Sequence, residues 1–131
     1  MPEANPSKVL VVDDAPATRY ALARALRAEG FDTIEAANGA QALELADSVC
    51  AMVLDVHLPD ISGVEVCKQL RGRPSTAHLP IVHVSGVYIT GHARVVGEQA
   101  GADAYLLAPA NPRELADTLR RLIRSRTPKQ P

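Results

Sequence analysis

Tryptophan is absent from this 131-residue chain, and one phenylalanine and three tyrosines make up the whole aromatic set. So few π-faces leave little on which unpaired bases could stack. No sign of charge dominates either. Fourteen Lys and Arg oppose 15 Asp and Glu, a formal net charge of −1, which argues against nucleic acid held by bulk charge. Cysteine is limited to Cys50 and Cys67; two thiols make no disulfide framework and read as reduced core residues. No apolar run nears the ~18–20 residues of a membrane span. Met1 to Lys8 has neither the basic start nor the apolar stretch of a signal peptide. Neither a G-x-G-x-x-G nor a Gly-Lys-Ser/Thr phosphate loop occurs, which speaks against nucleotide binding. These absences predict a cytoplasmic protein that binds neither membrane nor nucleic acid directly.

What is present is one domain's worth of alternating apolar runs and helical patterns. With 47% hydrophobic and 22% charged residues, the chain can bury one core without metal or disulfide staples. Pro2 and Pro6 mark residues 1–7 as a flexible tail, and Pro128 and Pro131 mark 126–131 as a tail or the start of a linker. The domain is expected over 8–125. Val9-Leu-Val-Val12 reads as a buried strand, Thr33–Ala36 as a weaker one, and Ala51–Leu54, Pro80–Val84 and Ala104–Leu107 as three more. Between them lie helical patterns. The first opens at Pro16, presents Tyr20, Leu22, Ala23 and Leu26, and stops at Gly30. Asn38-Gly39 reads as a break before a second helix using Ala42, Leu43, Leu45 and Ala46. A third uses Val64, Val66, Cys67 and Leu70, a weak fourth covers 91–100, and a last one is capped by Asn111-Pro112. Apolar strands alternating with amphipathic helices imply an α/β class: a doubly wound, three-layer α/β/α sandwich on a five-stranded parallel sheet.

In such sheets the site lies beyond the carboxyl ends of the strands. The first strand runs into Asp13-Asp14, the third into Asp55, the fourth into Ser85-Gly86 and the fifth into Ala108-Pro109. A single strand-end Asp is most simply a turn or a helix cap. Three on one rim, with no Lys or Arg beside them in sequence, would raise each other's pKa unless a cation lay among them. All-oxygen donors suit a hard ion, Mg²⁺ (or Mn²⁺).

Val11-Val12-Asp13-Asp14, then Asp55-Val-His-Leu-Pro-Asp-Ile-Ser-Gly63, then Val84-Ser85-Gly86, then Gly101-Ala-Asp-Ala-Tyr105 resemble the receiver domain of two-component response regulators. The resemblance covers about residues 8–124. It implies a flavodoxin-like strand order 2-1-3-4-5. It implies Asp55 as phosphoacceptor, charged from a phosphohistidine on a sensor histidine kinase or histidine phosphotransfer protein. Asp14 would bind the metal directly, Asp13 through water, and His57 by its backbone carbonyl. Ser85 would hydrogen-bond a phosphoryl oxygen, and Tyr105 would be the aromatic switch. A cis peptide would precede Pro109. A homodimer through the face of the fourth helix, fifth strand and last helix is a further implication.

One departure stands out. The family carries Lys immediately before the strand-5 proline, where this chain has Ala108; its three lysines are Lys8, Lys68 and Lys129. A charge-assisted hydrogen bond is worth about 1.5–3 kcal/mol, so its loss is expected to weaken the coupling to Tyr105, while Asp13, Asp14, Asp55 and Ser85 still support metal binding and phosphotransfer. Arg113 is one candidate to substitute for it. His57 and Val87 flank the acceptor in the family, though a solvent-exposed loop histidine is the simpler reading of His57. His83 reads as a satisfied core histidine, and His78 and His92 as loop or helix-start residues. Three functions stay open: a phosphorylatable receiver, a pseudo-receiver acting as a constitutive interaction module, and a Mg²⁺-dependent phosphohydrolase. The last is weakened by His57, which stands where such enzymes carry a general acid.

Overall fold

Residues 8–85 and 101–126 are described by a computed structural model of the chain. Five strands, β1 (Lys8–Val12), β2 (Asp32–Ala36), β3 (Ala51–Asp55), β4 (Ile81–Ser85) and β5 (Ala104–Leu107), form one sheet in the order β2-β1-β3-β4-β5. Every pairing is parallel. The helices are α1 (Pro16–Ala28), α2 (Gly39–Leu45), α3 (Gly63–Arg71) and α4 (Pro112–Arg126). The helix expected over 91–100, and with it that part of the expected dimer face, lies outside the described residues. So do Gly86, Val87 and His92.

The period of two along each strand explains why the runs look uniformly apolar. Leu10, Val12, Met52, Leu54 and Ile81 face one side and pack with Ala42 of α2 and Val66, Cys67 and Leu70 of α3. Val9, Val11, Ala51, Val53 and Val82 face the other and meet Ala23 and Leu26 of α1 and Leu115 and Leu119 of α4. Both faces are covered, so a polar side chain on a central strand is costly unless it finds a partner. Cys67 is buried and Cys50 half-buried, both as free thiols, and burial pushes the Cys67 thiol up to about 11.

Local signals set most of the boundaries. Pro16 starts α1, and Gly30, at φ +101°, ends it. Asn111 Oδ1 accepts from the backbone N–H of Arg113 and Glu114, capping α4 as expected. Three expectations need correction. Asn38 is a cap rather than a break: its Oδ1 accepts from Gln41 N at 2.9 Å, so α2 begins at Gly39 and gives way to a 3-10 turn at Ala46–Ser48. Tyr20 is 54% exposed instead of lying on the buried face of α1. Proline cannot donate to the ladder, and β4 starts at Ile81, one residue after Pro80.

His83 is buried as expected, but only half satisfied. Its Nδ1 lies 3.2 Å from the Leu54 carbonyl, which makes Nδ1 the protonated, donating nitrogen. Among the described residues Nε2 has no hydrogen-bond partner, and the ring packs on Tyr105 with centroids 5.1 Å apart. Burial holds its pKa below the ordinary value.

At the amino-terminal end of the sheet Arg71 ties α3 to the segment before β5. Its guanidinium donates to the carbonyls of Gly101 at 2.9 Å and Leu79 at 2.7 Å, and to Asp103 at 2.9 Å. Asp103 also accepts from Ile81 N at 2.8 Å and pairs with Arg126.

Arg71→Ala would leave those carbonyls and the Asp103 carboxylate short of donors, and should cost about 2–4 kcal/mol in urea unfolding. For His83 the sign follows from the depressed pKa. The unfolded chain takes up the proton first, so stability is lost as pH falls below about 6.5, by at most ~1.4 kcal/mol per pH unit until the folded pKa is reached. His83→Met, similar in volume, should flatten that part of the pH–stability curve measured by thermal denaturation.

Candidate functional site

β1 and β3 are adjacent, with Val12 in register with Leu54, so the residues following them emerge side by side. Carboxylate oxygens of Asp13, Asp14 and Asp55 all lie within 4.8 Å of one another. Asp13 and Asp55 are half-buried and Asp14 is exposed. Each half-buried carboxylate has one backbone donor: Ala15 N to Asp13 Oδ1 at 2.9 Å, and His57 N to Asp55 Oδ1 at 3.1 Å. These bonds lower the pKa but do not win. Burial, aided by repulsion from the neighbouring carboxylates, holds both Asp13 and Asp55 above the ordinary aspartate value. The guanidinium of Arg19, on the helix that follows Asp13 and Asp14, is spent on the Asp13 carbonyl at 2.9 Å and on Glu35 at 3.0 Å. Among the described residues no Lys or Arg forms an ion pair with any of the three carboxylates. All-oxygen donors short of positive charge fit a hard divalent cation.

Other sequence-predicted residues fall around this trio. Ser85 is buried at the end of β4, and its carbonyl accepts from Ala108 N at 2.7 Å. Ala108 precedes Pro109 through a cis peptide, as expected. A groove of about 660 Å³ opens from the carboxylates, between Ala21, Leu22 and Ala25 of α1 and the segment Ala108–Ala110. Tyr105 does not reach the trio. Its ring is half-buried against His83. Arg113 is no stand-in for the missing lysine, since it is 75% exposed and paired with Glu29 at 3.5 Å. His57 is an exposed loop residue whose backbone N–H, rather than its ring, touches Asp55.

Two residues that position the site had no assigned role at the level of sequence. Asp60 accepts from Gly39 N at 2.8 Å and Ala40 N at 2.9 Å, stapling the loop after Asp55 to the start of α2. These donors hold its carboxyl below the ordinary range. Gly63 begins α3 against the chain at Asp55. A Cβ there would stand 2.3 Å from the Asp55 carbonyl oxygen and 2.9 Å from Val56 Cα, so only glycine allows this approach. The partners lie about 20 residues away in sequence for Asp60, which is why no local pattern marks it.

The response regulator receiver domain family matches residues 9–120, and the chain belongs to it. It is 41% identical over 125 residues, 94% of its length, to the response regulator MprA of Mycolicibacterium vanbaalenii. It spans about half of that protein, 53% of its length. Among solved structures, a response regulator from Chloroflexus aurantiacus superposes with a TM-score of 0.84 at 33% identity, covering 92% of this chain and 99% of that one. The receiver domain of a sensor histidine kinase from Pseudomonas aeruginosa, whose structure has a magnesium ion coordinated in the active site cleft, gives 0.81 at 28% identity, covering 89% and 97%. The sandwich and its strand order are those expected from the sequence.

The crowding of carboxylates has a measurable cost. Two charges ~5 Å apart repel by about 3 kcal/mol at an effective dielectric near 20, and solvent at this half-open site reduces that further. Asp55→Asn keeps an acceptor for His57 N while removing one charge. In chelator at neutral pH it should be more stable than the parent by about 1 kcal/mol, a few degrees in Tm. The gap should close as acid protonates the raised carboxyl; a less stable Asn variant would refute the repulsion.

Proposed function

We propose that Asp55 accepts a phosphoryl group from a phosphohistidine carried by a sensor histidine kinase or a histidine phosphotransfer protein, beside a bound Mg²⁺ (or Mn²⁺). The observation that carries this reading is the meeting of Asp13, Asp14 and Asp55 within 4.8 Å at two adjacent strand ends. The three carboxylates and the His57 backbone carbonyl are the groups that would hold the ion. When bound, such an ion neutralises charge on the transferred group and helps keep it in line.

The chain's own atoms do the rest. Asp55 Oδ1 is engaged by His57 N, which leaves Oδ2 as the nucleophile. It forms the new O–P bond as the P–N bond to the donor imidazole breaks, and the electron pair leaves with that nitrogen. The Ser85 hydroxyl, at the neighbouring strand end, donates to a phosphoryl oxygen. Tyr105 follows Ser85 as the switch, turning further toward β4. The protein is then a signalling switch, with a charge placed on Asp55 as its signal.

Ala108 favours a second reading, that of a pseudo-receiver whose partners bind without phosphorylation. One experiment separates them. The protein is incubated with acetyl phosphate and Mg²⁺ and weighed intact by mass spectrometry, alongside Asp55→Ala. A gain of one phosphoryl group that disappears in the variant is the expected result. No gain, together with no Mg²⁺-dependent NMR shifts at Asp55 and Ser85 on adding beryllofluoride, would establish the pseudo-receiver.

A further inference from the structure

His83 is fully buried, and among the described residues its Nε2 has no hydrogen-bond partner. The rest of the ring is held on two sides. Nδ1 lies 3.2 Å from the Leu54 carbonyl, and the ring packs on Tyr105 at 5.1 Å between centroids, tilted by 50°. His83 and Tyr105 are in register on β4 and β5, and β5 is the edge of the sheet. Tyr105 is half-buried, so the imidazole lies one strand inward from a ring that reaches the surface.

A proton added at Nε2 makes the ring a cation with a second N–H. Inside the fold both the charge and that N–H need partners, and leaving them without any is costly. The described surroundings supply none. Side chains alternate along a strand, so Asp55, next after Leu54, leaves on the opposite face, where it lines the groove with Ala21 of α1. From α3, Cys67 lies in the same apolar layer as Leu54, with its thiol pushed up to about 11 and therefore neutral. Glu65 and Lys68 of that helix are exposed. Asp103 is engaged by Arg71 and Ile81 N at the amino-terminal end of the sheet. Burial and the Leu54 bond are what act on the imidazole, and burial prevails, favouring the neutral ring.

We propose that His83 and Tyr105 form a pH-sensitive latch: a proton taken from solvent by His83 Nε2 drives the imidazole toward the sheet edge and displaces the Tyr105 ring outward, and loss of that proton lets the rings repack. Histidine is the side chain suited to such a change between pH 5 and 8. Acid would thus oppose the inward position of Tyr105. That use rests on the receiver reading; the coupling of the proton to the ring does not, and it is tested without phosphorylation.

The test follows the side-chain resonances of His83 and Tyr105 by NMR in the full unphosphorylated chain from pH 8 to pH 5. Both should move with one shared midpoint below about 6.5, while the backbone amides of Val9–Val12 keep their positions. His83→Met should abolish the movement of Tyr105. Tyr105→Leu, which removes the covering ring, should raise the His83 midpoint toward about 6.5. Separate midpoints in the parent, or a Tyr105 that still titrates in His83→Met, would overturn the latch and assign the change to the carboxylates. An unchanged His83 midpoint in Tyr105→Leu, or a His83 that titrates only as the Val9–Val12 amides are lost, would also overturn it. The parent titration decides the matter even where a variant does not fold.

Discussion

Three carboxylates are kept together by a sheet that does not need them. β1 and β3 are hydrogen-bonded along their length, and the two apolar layers on either side lock their register. The acidic groups are carried to one rim as a consequence. Left to themselves they would part; burial and mutual repulsion already hold two of them above the ordinary aspartate pKa. The core therefore maintains a local excess of negative charge, one that a cation placed among the three would offset. A site of this kind is strained electrostatically but not sterically, and adding positive charge relieves it at once.

The described elements around Asp55 are tied down in different ways. α3 is fixed at both ends. Gly63 packs on the backbone of Asp55, and Arg71 grips the carbonyls of Gly101 and Leu79 together with Asp103. Asp60 adds a third tie, to α2. This leaves little freedom on the α2–α3 side for a change at Asp55 to be absorbed. The β4–β5 side is joined differently at its carboxyl end, where Ala108 N donates to the Ser85 carbonyl and Ala108 and Pro109 line an open groove.

The fold was legible because both of its periods were. Strand runs such as Val9–Val12 and Ala51–Leu54 are apolar throughout since both faces are buried, and Pro16, Gly30 and Asn111 punctuate the helices by local chemistry. The acidic trio was legible once the strand-end rule was applied. What escaped was whatever depended on partners distant in sequence. Asn38-Gly39 looks like a turn until Asp60 arrives from the next loop to hold Gly39 and Ala40. Tyr20 fits the helical spacing, yet α1 needs only a narrow stripe against the sheet. Arg113 seemed free to reach the acceptor until Glu29 claimed it. His83 looked like a satisfied residue because sequence cannot show that, among the described residues, only one ring nitrogen finds a hydrogen-bond partner.

The replacement of lysine by alanine at position 108 divides the machinery in a definite way. The three clustered carboxylates, Asp13, Asp14 and Asp55, belong to β1, β3 and their following loops. None of them depends on the side chain at 108. The backbone link from Ala108 to Ser85 also survives, since it uses only the N–H. The alanine methyl offers no donor toward Asp55, and among the described residues the packing between Asp55 and the Tyr105 end of β5 runs through β4. Ser85 and His83 sit two residues apart on that strand, and His83 touches both the Leu54 carbonyl, one residue before Asp55, and the Tyr105 ring. In this chain the strand that carries Asp55 and the ring of Tyr105 are thus connected through a buried imidazole.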